Sequence, residues 1–126
     1  MTVSPSVSVV VPVYNLEGFV AETIQSIIEQ SRTDWELIVV DDGSTDDSAK
    51  IIEALDDDRI RLVRQTNAGV SAARNRAKNE ICGGMVLFLD GDDLLMPTAL
   101  ERMLDCLEDH PNACAAYGSF IRVDER

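Results

Sequence analysis

A chain of 126 residues with 45% hydrophobic and 27% charged residues has the size and composition of one ordinary globular domain with a real core. Its 23 acidic and 11 basic side chains give a formal net charge of −12, which repels a phosphate backbone and argues against nucleic acid as a partner. A nucleotide ligand remains compatible with this charge, because a divalent cation can lie between carboxylates and a diphosphate.

Apolar β-branched runs predict buried parallel strands, and apolar residues at helical spacing predict helices between them. In chain order we expect a strand at Val7–Val13, a helix at 17–30, a strand at 36–41, a helix opened by a capping box of Ser44 and Asp47, a strand at Ile60–Arg64, a helix at 72–79, a strand at 85–90 that is apolar on both faces, a helix beginning near Pro97, and a fifth strand at 113–121. This alternation predicts an α/β fold: a doubly wound, mainly parallel sheet with helices on both faces, forming a single domain over residues 1–126.

Polar residues follow three of the predicted strands. They are Tyr14 and Asn15 after the first, Asp41, Asp42, Gly43 and Ser44 at the end of the second, and Asp90, Gly91, Asp92 and Asp93 at the end of the fourth. Ligands of open parallel sheets bind beyond the carboxyl ends of the strands. The sequence therefore predicts a binding site where these turns meet.

The turn from Asp90 to Asp93 has two interpretations. It is either an acidic turn that caps the next helix, or a site for Mg²⁺ or Mn²⁺, which prefer oxygen ligands. Its position directly after four strongly apolar residues, 86–89, favours the metal site. A cation there would neutralise the charge that develops on a departing diphosphate.

The pair Asp41 and Asp42 is also open to two interpretations. Helix capping explains Ser44, but it does not explain two adjacent carboxylates, whose mutual repulsion raises a pKa unless something binds. An aspartate in this place can accept a hydrogen bond from a uracil N–H. Tyr14 can stack on a base or pack on the edge of the sheet, and both alternatives stay open.

The segment 67–75 leads into a helix of small residues, whose alanines suit close packing on the sheet. For Arg74 we favour an ion pair with the carboxylates of the sheet edge over direct contact with a diphosphate. His110 is expected to be structural. The three cysteines form no Cys-x-x-Cys pair, which predicts reduced, mostly buried thiols in a cytoplasmic protein.

Four motifs together resemble the pattern of glycosyltransferase family 2. They are VPVYN at 11–15, VVDDGSTD at 39–46, NAG followed by ARN within 67–75, and FLDGDD at 88–93. They occur in the order and at the spacing of that family. The resemblance implies a GT-A fold, a nucleotide-diphosphate-sugar donor, often a UDP-sugar, and inversion at the anomeric carbon.

The same resemblance implies roles for individual residues. The donor-binding residues would be Pro12, Tyr14, Asn15, Asp41, Asp42, Gly69, Arg74 and Asp90. Among them Pro12, Tyr14 and Asp41 would line the nucleobase with Asp42 close by, and Gly69 and Arg74 would shape the floor near the phosphates. Asp92 would ligate Mn²⁺ or Mg²⁺, and Asp90 would approach both the metal and the ribose.

Members of that family continue past the position of Arg126 with an acceptor-binding region and an acidic general base. We therefore expect a C-terminally truncated piece of an enzyme, with its catalytic base beyond Arg126 and none in this chain. The whole protein could associate with the inner face of a membrane. Uncovered sheet edge in such a piece would favour a homo-oligomer.

The alternative function is a non-catalytic nucleotide- or metal-binding module. A phosphoacceptor receiver domain would need paired carboxylates after the first strand and a lysine after the fifth, and no lysine follows Lys78. A dinucleotide oxidoreductase would need Gly-x-Gly-x-x-Gly after the first strand. The sequence has neither pattern.

Overall fold

The computed structural model describes residues 4–122. Its elements in chain order are β1 (Val7–Val13), α1 (Val20–Ile28), β2 (Trp35–Asp41), α2 (Ser48–Glu53), β3 (Ile60–Arg64), α3 (Val70–Ala77) with a 3₁₀ turn at Lys78–Glu80, β4 (Met85–Phe88) and α4 (Ala99–Asp109). No helix among these described residues has the length and apolar character needed to cross a membrane.

The four strands are all parallel and lie in the order β3-β2-β1-β4. The chain moves outward from β1 to β3 and then returns to the other side of β1. This reversal creates a switch point between β1 and β4, where open α/β sheets bind their ligands. Val13 is level with Asp41, and Val10 is level with Phe88, so the turns after β1, β2 and β4 emerge at one edge.

Helices cover both faces of the sheet. The odd-numbered valines of β1 pack with α1, α2 and α4 through fully buried side chains such as Ile24, Ile27 and Leu100. Each side chain of this kind contributes about 1.5–3 kcal/mol by leaving water. On the other face, Ala73 and Ala77 of α3 pack on the second buried cluster, which includes Val10, Ile38 and Val40. The predicted doubly wound α/β fold is confirmed.

We predicted that the fourth strand is buried on both faces, and this is wrong, because only one of its faces is covered. It pairs only with β1 in the described part of the chain, and α3 packs on β1 and β2 instead. Its inner side chain Leu87 joins the core, whereas Val86 and Phe88 on the other face are 42% and 48% exposed. Self-association through uncovered sheet edge stays a prediction.

The predicted fifth strand at 113–121 is wrong. The segment forms no strand, and Tyr117, Phe120 and Ile121 are largely exposed. A β-rich sequence becomes a strand only when a neighbouring strand completes its hydrogen bonds and covers one face. Residues 114–116 share a cavity with Met85, Val86 and Leu87 of β4, but the segment does not join the described sheet, and its one β-branched residue is Ile121.

The predicted capping box of Ser44 and Asp47 is also wrong. Helix α2 begins at Ser48, whose backbone N–H donates to Asp46 Oδ1 at 2.9 Å. Ser44 Oγ accepts a hydrogen bond from the backbone N–H of Asn15 instead, at 3.0 Å. A local aspartate therefore receives the N–H at the helix start, and Ser44 connects two loops.

The cysteines are exposed rather than mostly buried. Cys106 lies on α4, but the buried stripe of that helix is made by Leu100 and Leu104. Cys82 and Cys114 lie in connecting segments at the surface. The prediction of burial followed the average behaviour of cysteine and not the position of these three in the fold.

Candidate functional site

A cleft of about 360 Å³ opens at the carboxyl edge of the sheet, between the end of β1 and the start of α3. Tyr14 stands at its rim, and the aromatic ring is half exposed. Such a ring can pack against a planar base while its hydroxyl stays in water. The lining residues are Pro12, Val13, Tyr14, Asp42, Asn67, Gly69, Val70 and Ala73.

The wall of this cleft is held by Asp42, which is only 4% exposed. Its carboxylate accepts hydrogen bonds from Gln65 Nε2 at 2.8 Å, from Ala68 N at 2.8 Å and from Gly69 N at 2.9 Å. Burial alone would raise the pKa of this carboxylate, but the three donated hydrogen bonds outweigh it and hold the pKa below its ordinary value of 3.8. Asp42 is thus a charged anchor for the loop that precedes α3.

Two glycines let the loops after β2 and β3 approach each other. Gly43 has a φ of +76°, and a β-carbon added there would lie 2.8 Å from the backbone nitrogen of Asn67. Gly69 has a φ of +98° at the entrance to α3. A side chain at position 43 would be strained and would push the two loops apart.

Asn15 braces the same region from the turn after β1. It adopts a left-handed backbone conformation with a φ of 51°, which asparagine tolerates better than most residues. Its Oδ1 accepts hydrogen bonds from Thr45 N at 2.8 Å and Asp46 N at 3.3 Å. The structure therefore places this predicted donor-binding residue in contacts that join the turns after β1 and β2.

Asp41 has different surroundings from its neighbour Asp42. It continues the face of Leu37 and Val39, towards α2, and does not line the cleft. Its carboxylate is fully buried, 3.6 Å from Arg64 Nε, and no group among residues 4–122 donates a hydrogen bond to either oxygen. Of the two aspartates, Asp42 is the one that lies at the cleft.

The turn after β4 gathers Asp90, Asp92 and Asp93, which each offer a carboxylate oxygen within 4.8 Å of the others. All three are exposed. Desolvation and then the charges of Asp92 and Asp90 raise the pKa of Asp93. Three close carboxylate oxygens fit the ligand preference of Mg²⁺ and Mn²⁺, and a cation would remove their repulsion.

Arg74 makes the ion pair that we expected of it. Its Nη2 lies 3.1 Å from Asp90 Oδ1, and both side chains are partly exposed. Its Nε is buried without a hydrogen-bond partner in the described part of the chain. The guanidinium of Arg74 thus reaches from α3 to the acidic turn.

The acidic turn lies directly against the end of β1. Gly91 is buried, and a β-carbon there would lie 2.8 Å from Leu16 Cδ1 and 3.1 Å from the carbonyl oxygen of Pro12. Because Pro12 also lines the cleft, the cleft and the acidic turn are two parts of one continuous edge.

Sequence reasoning missed several residues of this edge. Asn67 and Val70 line the cleft, Gln65 supports its wall, and Asp93 completes the acidic group. Gln65 and Asn67 follow the carboxyl end of β3. The rule that ligands bind beyond the carboxyl ends of parallel strands could therefore have found them.

The family described as Glycosyl transferase family 2 matches residues 8–126 of this chain. Among individual relatives, the uncharacterized glycosyltransferase EpsJ of Bacillus subtilis (strain 168) is 36% identical over 124 residues. That alignment covers 97% of this chain and 36% of EpsJ.

Two solved structures share the fold. Residues 1–349 of S. aureus TarS in complex with UDP-GlcNAc are 32% identical with a TM-score of 0.80, over 84% of this chain and 32% of that chain. The mannosyltransferase PcManGT of Pyrobaculum calidifontis in complex with GDP-Man and Mn²⁺ is 33% identical with a TM-score of 0.67, over 74% of this chain and 29% of that chain.

The chain thus spans less than half of the length of EpsJ and about a third of each of these two solved chains. Within that span, the parallel four-stranded sheet with its helices matches the GT-A fold of these glycosyltransferases. Because the family match extends over nearly all of its residues, this chain belongs to glycosyltransferase family 2.

Proposed function

We propose that this chain holds the donor of an inverting glycosyl transfer, a UDP-sugar bound together with Mn²⁺ or Mg²⁺. The observation that carries the proposal is the junction of a base-sized cleft and a three-carboxylate cluster at the end of β1. Similar glycosyltransferase structures contain UDP-GlcNAc in one case and GDP-Man with Mn²⁺ in another.

The nucleobase occupies the cleft, against the ring of Tyr14 and the wall that Asp42 holds. Gly69 and Arg74 lie on the side of α3 and approach the diphosphate. Asp92 and Asp90 hold the cation, with Asp93 as a further carboxylate. When bound, the cation neutralises the charge that grows on the diphosphate as it leaves.

The strongly acidic character of the chain explains why a cation belongs in this proposal. A diphosphate that approaches three exposed carboxylates on a chain of net charge −12 meets repulsion. Among the described residues, Arg74 is the one basic side chain that forms an ion pair with the acidic turn. Its Nη2 lies 3.1 Å from Asp90 Oδ1, so its charge is already engaged. A divalent ion supplies the positive charge that this edge lacks.

Calorimetric titration of the chain with UDP, with and without Mn²⁺, tests the proposal. We expect binding that depends on Mn²⁺ and is lost in Asp92→Asn. Asp105→Asn, which removes one exposed carboxylate from α4, is the matched control and should bind as the unmodified chain does. Equal affinity with and without Mn²⁺, or equal affinity in Asp92→Asn, would overturn the metal assignment.

The role predicted for Asp41 needs its own variant. Asp41→Asn weakens binding of the uridine part without changing the Mn²⁺ dependence if this carboxylate contacts the base. If the variant binds uridine and UDP as the unmodified chain does, Asp41 does not contact the base, and Asp42 is the aspartate that lies beside it. A parallel titration with GDP decides whether the cleft prefers uracil.

A further inference from the structure

A polar stripe formed by two residues of α1 and one residue shortly after its end contacts the acidic turn and the segment that follows it, up to Leu100. The stripe consists of Thr23, Ser26 and Gln30, spaced so that they share a helix face. Ser26 Oγ accepts a hydrogen bond from Leu95 N at 3.1 Å. Gln30 bridges Met96 O at 2.6 Å and Leu100 N at 3.0 Å.

Thr23 makes the contact nearest to the carboxylates. Its hydroxyl donates a hydrogen bond of 2.9 Å to the carbonyl oxygen of Gly91, and the threonine is fully buried beside Val20, Ile24 and Ile27. A threonine hydroxyl within a helix usually bonds to a carbonyl one turn earlier. This hydroxyl bonds instead to a residue 68 positions away in the chain.

The hydrogen bond from Thr23 affects Asp92 because of where the Gly91 carbonyl lies in the chain. The Gly91 carbonyl belongs to the planar peptide that joins Gly91 to Asp92. Glycine has the least restricted backbone, and the hydrogen bond that closes the turn, from Asp93 N to Asp90 O at 3.0 Å, leaves the Gly91–Asp92 peptide inside the loop. A buried hydrogen bond to its oxygen fixes the direction in which the chain enters Asp92.

We propose that Thr23 is a positioning residue for the cation: by locking the Gly91–Asp92 peptide it keeps the carboxylates of Asp90 and Asp92 close enough to share one ion. The inference rests on the proposed metal site. Three like charges in one exposed turn repel each other, and the buried hydrogen bond from Thr23 acts together with the backbone hydrogen bond from Asp93 N to Asp90 O to hold the turn against that repulsion.

Thr23→Val tests this directly, because valine keeps the shape of threonine and removes the hydroxyl. Mn²⁺ affinity is measured by electron paramagnetic resonance of the free ion at saturating UDP, together with the melting temperature. We expect Thr23→Val to weaken Mn²⁺ binding about tenfold, the lower end of the effect of removing an outer partner of a metal ligand. Thr23→Ser, which keeps the hydroxyl, restores affinity to within about twofold of the unmodified chain.

Ser26→Ala is the matched control, because it removes a hydrogen bond from the same stripe to the same segment. It should lower the melting temperature without changing Mn²⁺ affinity. Thr23→Cys, a weaker donor of similar size, gives an intermediate affinity and keeps the test decisive if the valine variant does not fold.

The outcomes separate this inference from the proposed function. If the unmodified chain binds Mn²⁺ and Thr23→Val binds it equally well, only the role of Thr23 is overturned. An equal loss of affinity in Ser26→Ala also overturns it, because the stripe would then act through general stability. If the unmodified chain binds no Mn²⁺ at saturating UDP, the proposed metal site and this inference fail together.

Discussion

The turn after β2 and the turn after β4 both carry adjacent carboxylates, and they lie at the same edge of the sheet. In the first, Asp42 is buried and receives three hydrogen bonds, which hold its pKa low. In the second, Asp93 is exposed beside Asp90 and Asp92, and desolvation and their charges raise its pKa. The two turns therefore contain nearly the same residues, but they shift the pKa of an aspartate in opposite directions.

The difference shows that the supply of donors decides what an acidic turn does. Around Asp42, the loop after β3 folds back and offers two backbone N–H groups and a side-chain amide. Around Asp93, the neighbours are other carboxylates, and Arg74 reaches only Asp90. The first turn stabilises the cleft without a ligand, whereas the second gains most when a cation binds.

The largest expected change in the free energy of unfolding comes from replacing Gly43, which lets the turn after β2 lie against the loop after β3. Gly43→Ala places a β-carbon 2.8 Å from the backbone of Asn67 at a φ of +76°. We expect the free energy of unfolding to fall by about 3 kcal/mol, from strain and displacement together. Chemical denaturation measures it. Gly18→Ala, where the added carbon meets nothing within 4 Å, is the control, and an equal loss there would refute the account of the turn.

A smaller loss is expected when Asp42 becomes neutral. Asp42→Asn turns an amide towards one of the donors, which leaves a buried N–H unpaired and lowers the free energy of unfolding by about 1–3 kcal/mol. Because the pKa of Asp42 is lowered in the folded state, its contribution is present above pH 3.8 and is lost as the pH falls through the folded-state pKa.

The same variant therefore predicts a pH dependence. The stability difference between the unmodified chain and Asp42→Asn should shrink as the pH is lowered below about 4, the ordinary range of an aspartate. Urea denaturation at a series of pH values measures it. A difference that stays constant down to pH 2.5 would show that the charge of Asp42 does not stabilise the fold.

The smallest effect has the opposite sign and lies in the β4 turn. Asp93→Asn relieves repulsion with Asp90 and Asp92, so in the absence of a cation it should raise the free energy of unfolding slightly, by about 0.5 kcal/mol or less. With Mn²⁺ and UDP the order should reverse, because a ligand is lost. Thermal denaturation with and without Mn²⁺ compares them, and the same order in both conditions would argue against a shared cation.

Sequence patterns predicted the interior of the fold better than its periphery. Strands β1 to β3 lie within a residue of the expected bounds, because their β-branched runs are buried and end in turn residues. The segment 113–121 contains a single β-branched residue, Ile121, among alanine, glycine and serine, and it forms no strand. Likewise, Ser44 has the residue type of a cap, but its partner Asn15 comes from another loop.

For the candidate site, the order of the motifs correctly predicted which turns meet at the edge of the sheet. It did not predict the direction in which each side chain points. Alternation along β2 separates Asp41 from Asp42, yet only the packing of α3 shows which face holds the cleft. Thr23 carried no motif and lies among apolar residues of α1, so its bond to Gly91 could not be predicted from local pattern. Contacts between distant loops are what the sequence leaves open.

The most direct test of a single donor site at the switch point is amide NMR of this chain titrated with UDP in the presence of diamagnetic Mg²⁺, and then with Mn²⁺. We expect UDP-induced shifts at Tyr14, Gly69 and Val70, followed by paramagnetic broadening that is strongest at Asp90 to Asp93 and extends to Tyr14, because the acidic turn adjoins the end of β1. At a given Mn²⁺ concentration this broadening should be greater with UDP present than without it. Resonances of Ser8 and Glu36, at the opposite end of the sheet, should not change. Shifts centred away from the cleft, or broadening at Asp90 to Asp93 that never reaches Tyr14, would contradict it.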